Sequence, residues 1–166
     1  MMDSFYKLFP AEGQLDPSAC WAACLRWWLF ASKSIAKPQE DILSSYDCED
    51  DGTVSEKTIR KIINDPQWGM TREVFHSATK FTSSALQKHL DHGPVYVGYT
   101  ETPTRKKHVN IIYDLEVSNG IARVGVMEPQ ARELADWTYA GEHQVKSLRD
   151  FNRFGTVYVG SLKPKG

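Results

Sequence analysis

Cys20 carries the strongest chemical signal in this sequence. It follows Asp16-Pro17-Ser18, where an N-cap candidate precedes a proline suited to a first helical turn, and it opens an apolar run from Ala19 to about Ser32. A cysteine in the first turns of a helix meets unpaired backbone N–H groups and the positive end of the helix dipole, and both favour thiolate over thiol. The other reading of such a residue is a small apolar core side chain, which is how Cys24, one turn further on, is taken. Gln14 precedes Cys20 by six residues, in a segment whose Gly13, Asp16 and Pro17 predict a loop leading into the helix. Its side-chain amide, together with the Cys20 N–H, supplies donors for the oxyanion that forms when a thiolate attacks a carbonyl.

A nucleophilic thiol needs a base, and His108 opens the strand pattern His-Val-Asn-Ile-Ile-Tyr-Asp. Strict alternation puts His108, Asn110, Ile112 and Asp114 on one face and Val109, Ile111, Tyr113 and Leu115 on the other. Asn119-Gly120 is a strong hairpin turn signal, because both residues tolerate the positive φ that tight turns demand. A chain folded back there sets His108 against residues 128 to 131, and Glu128, in Met127-Glu128-Pro129, stands at the end of the returning strand. A carboxylate at that place can accept the ring N–H of His108, fix its tautomer and stabilise its charged form. Asp114 is a poor substitute, since six residues of strand put it about 20 Å from His108.

Other polar residues read more simply. His89-x2-His92 meets on one helical turn, yet no cysteine or carboxylate is spaced to complete a metal site, so solvated helix-end histidines suffice. His76 and His143 have no partner that the sequence reveals. Trp21, Trp27 and Trp28 read as core, Trp68 and Trp137 as either cleft or core-capping residues, and Arg105-Lys106-Lys107 as a solvated loop able to steer acidic segments.

The elements that must position these residues change character along the chain. Helices are predicted over Ala19 to Ser32, Pro38 to Tyr46, Val54 to Asn64 behind a Thr53-x-x-Glu56 capping box, and Ser83 to Asp91. Strands are predicted over Val95 to Tyr99, His108 to Glu116, Ile121 to Met127 and Thr156 to Val159, with a short helix near Val145 to Phe151 before the last. Helices first and strands afterwards describe an α+β fold, a single domain over 1–166 with a helical part about 14–92 and an antiparallel sheet part about 93–160.

Composition narrows the function classes. With 20 Lys+Arg against 21 Asp+Glu and 41% hydrophobic residues, the 166-residue chain is neither a polyelectrolyte nor a basic nucleic-acid binder. The Ala19 to Ala31 run is interrupted by Arg26 and falls short of the roughly 20 residues that span a bilayer. The N-terminal residues lack the pattern of a secretory signal, so Sec-type export is not expected. Cys20, Cys24 and Cys48 form neither a C-x-x-C nor a regular disulfide framework, which leaves a free thiol.

Taken together, Gln14-x5-Cys20 with Cys20-Trp21-Ala22-Ala23, Gly93-Pro94-Val95, His108-Val109-Asn110-Ile111-Ile112 and Val126-Met127-Glu128-Pro129 resemble the papain-like cysteine proteases. Within them the resemblance is to the short bacterial forms that include staphopains and secreted avirulence-type effector proteases, and it runs from Gln14 to about Val159. It implies a central helix packed against an antiparallel sheet, with Cys20 as nucleophile, His108 as general base and acid, Glu128 as third member and Gln14 as oxyanion donor. That family carries Asn or Asp at the third position, commonly Asp-Pro in the bacterial branch, where this chain has Glu128-Pro129. The resemblance further implies a protein substrate, no cofactor or metal, and a bacterial effector or toxin made in the cytoplasm and delivered without a signal peptide. A cognate immunity or chaperone protein is then an expected partner. Deamidation or transamidation of glutamine uses the same residues, and a catalytically silent binding module is the rival from another class. The Asp-Cys-Ser-Gly context of peptidoglycan amidases is missing.

Overall fold

The computed structural model describes residues 4–46, 55–102 and 104–164. Thr53, Val54 and Cys48 therefore lie outside the described residues. Among the described residues four α-helices, α1 (Cys20–Lys33), α2 (Gln39–Ser45), α3 (Glu56–Asn64) and α4 (Ser83–Leu90), accompany six strands: β1 (Met70–Phe75), β2 (Val95–Thr100), β3 (Lys107–Ser118), β4 (Ile121–Glu133), β5 (Tyr139–Ser147) and β6 (Val157–Leu162). The strands form one sheet in the order β1-β6-β2-β3-β4-β5, and every pairing is antiparallel. The α+β class read from the sequence is what the fold shows.

Both faces of the sheet are covered, which explains why β2 is buried at all six positions and reads as an unbroken apolar run. On one face, Trp21, Leu25, Trp28 and Leu29 of α1 and Ile59, Ile62 and Ile63 of α3 pack on Tyr96, Val109, Ile111, Met127 and Tyr158. On the other, Phe81, Leu86 of α4, Leu148 and Phe151 pack on Val95, Val97, Ile112, Val124, Val126 and Val159. The Trp28 indole N–H also donates to the Pro94 carbonyl at 2.9 Å, so this large buried ring leaves no orphan donor.

The structure corrects several local readings. The helix begins at Cys20 itself: Ala19 occupies the cap position without a side-chain cap bond, while Asp16 Oδ1 accepts from the Ser18 N–H and hydroxyl and closes a turn before it. The described start of α3 is capped by Ser55, whose hydroxyl accepts from the Thr58 N–H at 3.1 Å. Residues 70–75, inside the stretch read as helical, are edge strand β1, whose mixed Met-Thr-Arg-Glu-Val-Phe pattern carries little strand signal. Instead of a helix near Val145 to Phe151, β5 continues to Ser147 and only a 3-10 turn, Leu148–Asp150, follows. β5 is an edge strand with no residue fully buried, so it lacks the apolar alternation that sequence patterns detect.

The Asn119-Gly120 turn joins β3 to β4 as expected, with φ of 53° and 75°. The pairing starts at Ser118↔Ile121 and slips by one at a bulge between Ile112 and Asp114, leading to Ile111↔Met127. Strict alternation fails across that bulge, because the extra residue reverses the facing of what precedes it. Leu115 thus packs with Ile112 in one cluster, while Val109, Ile111 and Tyr113 belong to the other.

Candidate active site

Cys20 is the first residue of α1, so its N–H belongs to the turn that has no intrahelical acceptor. One turn on, the Cys24 thiol donates to the Val109 carbonyl at 3.4 Å and ties the start of α1 to the start of β3. Burial pushes the Cys24 thiol well up, which leaves it a protonated core residue.

His108, the second residue of β3, approaches Cys20 from the sheet. Its Nε2 lies 2.8 Å from Glu128 Oε2, so the other ring nitrogen is the one left for the Cys20 sulfur. Burial disfavours the imidazolium most strongly, but the charge and hydrogen bond of Cys20 and the bond to Glu128 outweigh it and raise His108 to about 10. Cys20 and His108 are only 2% and 3% exposed, so water screens this pair little. Continuing the Ile111↔Met127 register sets Asn110 opposite Glu128 and His108 on the diagonal. Diagonal neighbours on a sheet are about 7–8 Å apart, a gap that favours the longer reach of glutamate over aspartate.

Glu128 is itself buried. Its Oε2 also accepts the Gln130 N–H at 3.0 Å, and its Oε1 accepts from Lys146 Nζ at 2.6 Å. Burial alone would raise its carboxyl, yet His108 and Lys146 together hold it well below the usual carboxylate range. Lys146, on β5, donates with the same nitrogen to Asn110 Oδ1 at 2.8 Å, and the Tyr99 hydroxyl donates to that oxygen at 3.2 Å. Sequence reasoning placed Asn110 on the His108 face but gave no role to Lys146 or Tyr99. Lys146 belongs to the strand misread as loop and helix, so its neighbours were not deducible.

Gln14 is wholly buried in a loop held on all sides. Its N–H donates to the Pro129 carbonyl at 3.1 Å and its carbonyl accepts from the Tyr139 N–H at 3.0 Å, tying the loop to the residue after Glu128 and to β5. Gln39, the first residue of α2, clasps both sides: its amide donates to the Gly13 carbonyl at 3.1 Å and its Oε1 accepts the Leu15 N–H at 2.9 Å. Arg26 pairs with Glu12 at 2.6 Å, one residue further back. A Cβ on Gly13 would overlap the Tyr139 carbonyl oxygen, and one on Gly141 the Glu12 carbonyl, so two glycines let this loop and β5 cross in backbone contact. Gln14 Nε2 gives one hydrogen to the Asp16 carbonyl at 2.8 Å and keeps a second to donate. Gln39 and Gly141 carried no signal in the sequence, because each matters only through a partner far along the chain.

Of the other histidines, His76 and His92 are exposed, whereas His143 is tied into the structure and His89, read from the sequence as a solvated helix-end residue, is buried. His89 bridges Ser161 Oγ at 2.7 Å and Glu73 at 2.8 Å, which fastens α4 to β6 and β1, and His143 contacts the Tyr113 hydroxyl and the Phe9 carbonyl. Ser161 is fully buried, so this Ser-His-Glu arrangement has no access to substrate. Among the described residues no cluster of His, Cys, Asp or Glu is placed to hold a metal, and no helix is long and apolar enough to cross a membrane.

A helix that begins at a cysteine lies against an antiparallel sheet carrying a histidine, and the α+β fold so built is similar to a papain-like fold. UfSP from C. elegans, known from its crystal structure, is similar to this protein with a TM-score of 0.57 and 10% sequence identity over 95% of this chain. The chain spans about a third of that protein, 34% of its length. No protein-family model matches the sequence, and no curated protein is significantly similar to it.

Proposed function

We propose that this protein is a thiol hydrolase that cleaves peptide or amide bonds in a protein substrate through an acyl-enzyme on Cys20. The observation that carries this reading is the buried His108 imidazole, held by Glu128 at 2.8 Å on one nitrogen and facing the first residue of a helix, Cys20, with the other. Such an array favours the thiolate–imidazolium pair over the neutral thiol and imidazole.

The Cys20 thiolate attacks the carbonyl carbon, and the carbonyl π electrons move to oxygen. The Cys20 N–H and the free hydrogen of Gln14 Nε2 donate to that oxyanion. His108 passes its proton to the leaving nitrogen as the C–N bond breaks, which leaves a thioester. Water then gives a proton to the same imidazole nitrogen as its oxygen attacks the thioester, the C–S bond breaks, and thiolate and imidazolium are regenerated. Glu128 keeps the ring oriented and its charge compensated throughout.

The sequence resemblance to secreted bacterial effector proteases supports a substrate in a target cell, and a cognate immunity or chaperone protein in the producer. Mass spectrometry of a target proteome exposed to the protein and to its Cys20→Ala variant tests the reading. New peptide termini made only by the parent are expected. Glutamine residues converted to glutamate, with no new termini, would make the same site a deamidase, and no difference between parent and variant would overturn the hydrolase.

A further inference from the structure

The site holds a negative charge that its Cys-His pair does not need. An amide at the third position orients the histidine without adding charge, whereas the Glu128 carboxylate opposes formation of a thiolate nearby and makes the imidazolium a weaker acid. Lys146 answers that charge. Its ammonium lies 2.6 Å from Glu128 Oε1, on the oxygen that His108 does not use, and its side chain is 19% exposed. It is anchored independently by Asn110 Oδ1 at 2.8 Å, itself held by the Tyr99 hydroxyl, and lies 5.9 Å from the Phe151 ring. Cys20, His108, Glu128 and Lys146 then form a row of alternating charge, and the carboxylate's two oxygens are divided between two cations.

Resting on the thiol-hydrolase reading above, we propose that Lys146 is a positioning residue that neutralises and fixes Glu128, so that the Glu128–Lys146 pair acts on His108 as one uncharged orienting group. The groups facing Glu128 are His108 from β3 and Lys146 from β5 in contact, Cys20 and Cys24 from α1, Tyr99 from β2, and Glu142 as its exposed register partner on β5. Lys146 is the one among them that offsets the carboxylate without taking part in proton transfer.

The consequence has a definite sign. Removing a positive charge makes every nearby acid harder to deprotonate, so Lys146→Met moves the pH dependence of Cys20 reactivity to higher pH. Removing the negative charge with Glu128→Gln moves it to lower pH. Removing both charges leaves the limb between the two single variants and close to the parent, because the two opposite shifts offset each other.

Iodoacetamide alkylation of Cys20, followed by mass spectrometry from pH 4 to 10, reads this without a known substrate. The expected result is an acid limb raised by about one pH unit in Lys146→Met, which at a fixed pH on that limb is on the order of a tenfold slower alkylation. Lys146→Arg, which keeps the charge, returns the limb to the parent position, and Lys146→Gln serves as the neutral variant if Lys146→Met does not fold. An unmoved limb in the neutral variant, or a double variant whose limb stays at the raised Lys146→Met position although the Glu128 charge is gone, overturns the Lys146 proposal alone. A parent Cys20 that alkylates no faster than Cys24 overturns the hydrolase reading, and the Lys146 proposal falls with it.

Discussion

Glu128 and His108 are displaced in opposite directions, and the two displacements define a pH window for stability. Glu128 is held below its ordinary value, so its contribution is complete above the unfolded carboxyl range, about pH 4.3, and is lost as pH falls. His108 is raised to about 10, so its contribution is complete below its unfolded value of about 6.5 and is lost as pH rises toward 10. Maximum stability is therefore expected between about pH 4.5 and 6.5, checked by urea unfolding across pH. Because Cys20 is a main cause of the His108 shift, Cys20→Ala should flatten the alkaline loss while leaving the acid loss in place; an unchanged alkaline loss would show that the pair is not coupled. Cys20 should also alkylate near neutral pH much faster than Cys24, whose burial holds it as a thiol.

The loop before α1 and the edge strand β5 act as one clasp around Gln14, and its loss should separate two reactions that share Cys20. Alkylation by iodoacetamide is a displacement with no oxyanion, whereas amide cleavage requires one. Gln14→Ala is expected to lower kcat on an identified substrate by about 10²-fold or more while leaving the alkylation rate of Cys20 within about twofold of the parent. Gly13→Ala should act the same way through displacement of the loop, since the added Cβ has the Tyr139 carbonyl in its path. Parallel losses of both reactions would mean that the loop supports Cys20 itself and not the oxyanion.

A sheet covered on both faces makes the whole molecule depend on α1, which carries the candidate nucleophile and also fills the larger core. Trp28 is fully buried at the centre of that helix and bonds the Pro94 carbonyl at the entrance to β2. Trp28→Ala should cost about 3–5 kcal/mol, a drop in Tm of roughly 6–20 °C for a chain of this size, and calorimetry checks it. A smaller drop would mean that the core collapses around the void. Rigidity at this scale also matters to the chemistry, because Cys20 reaches His108 only while α1 keeps its seating on β3, fixed one turn later by the Cys24 to Val109 contact at 3.4 Å.

What could be read along the chain was whatever short-range physics encodes. The apolar run of α1 with Cys20 at its head, the Asn119-Gly120 turn, and the pairing that this turn imposes were enough to bring His108 and Glu128 to the same end of one hairpin, because a tight turn fixes register for the residues that follow it. The bulge at Tyr113 was beyond reach, since alternation alone cannot say where a strand slips by one residue. β1 and β5 were missed because edge strands are half solvated and carry mixed polar sequences, and with β5 went Lys146, the second partner of Glu128. Gln39, Gly141 and Tyr139 are ordinary residues until the fold sets them against the Gln14 loop. The sequence by itself thus determined the helix, the hairpin and the residue types able to do thiol chemistry. Only the tertiary structure decided how the Glu128 charge is balanced and how the loop that carries Gln14 is held, because both depend on contacts between segments more than 15 residues apart, whose register no local pattern records.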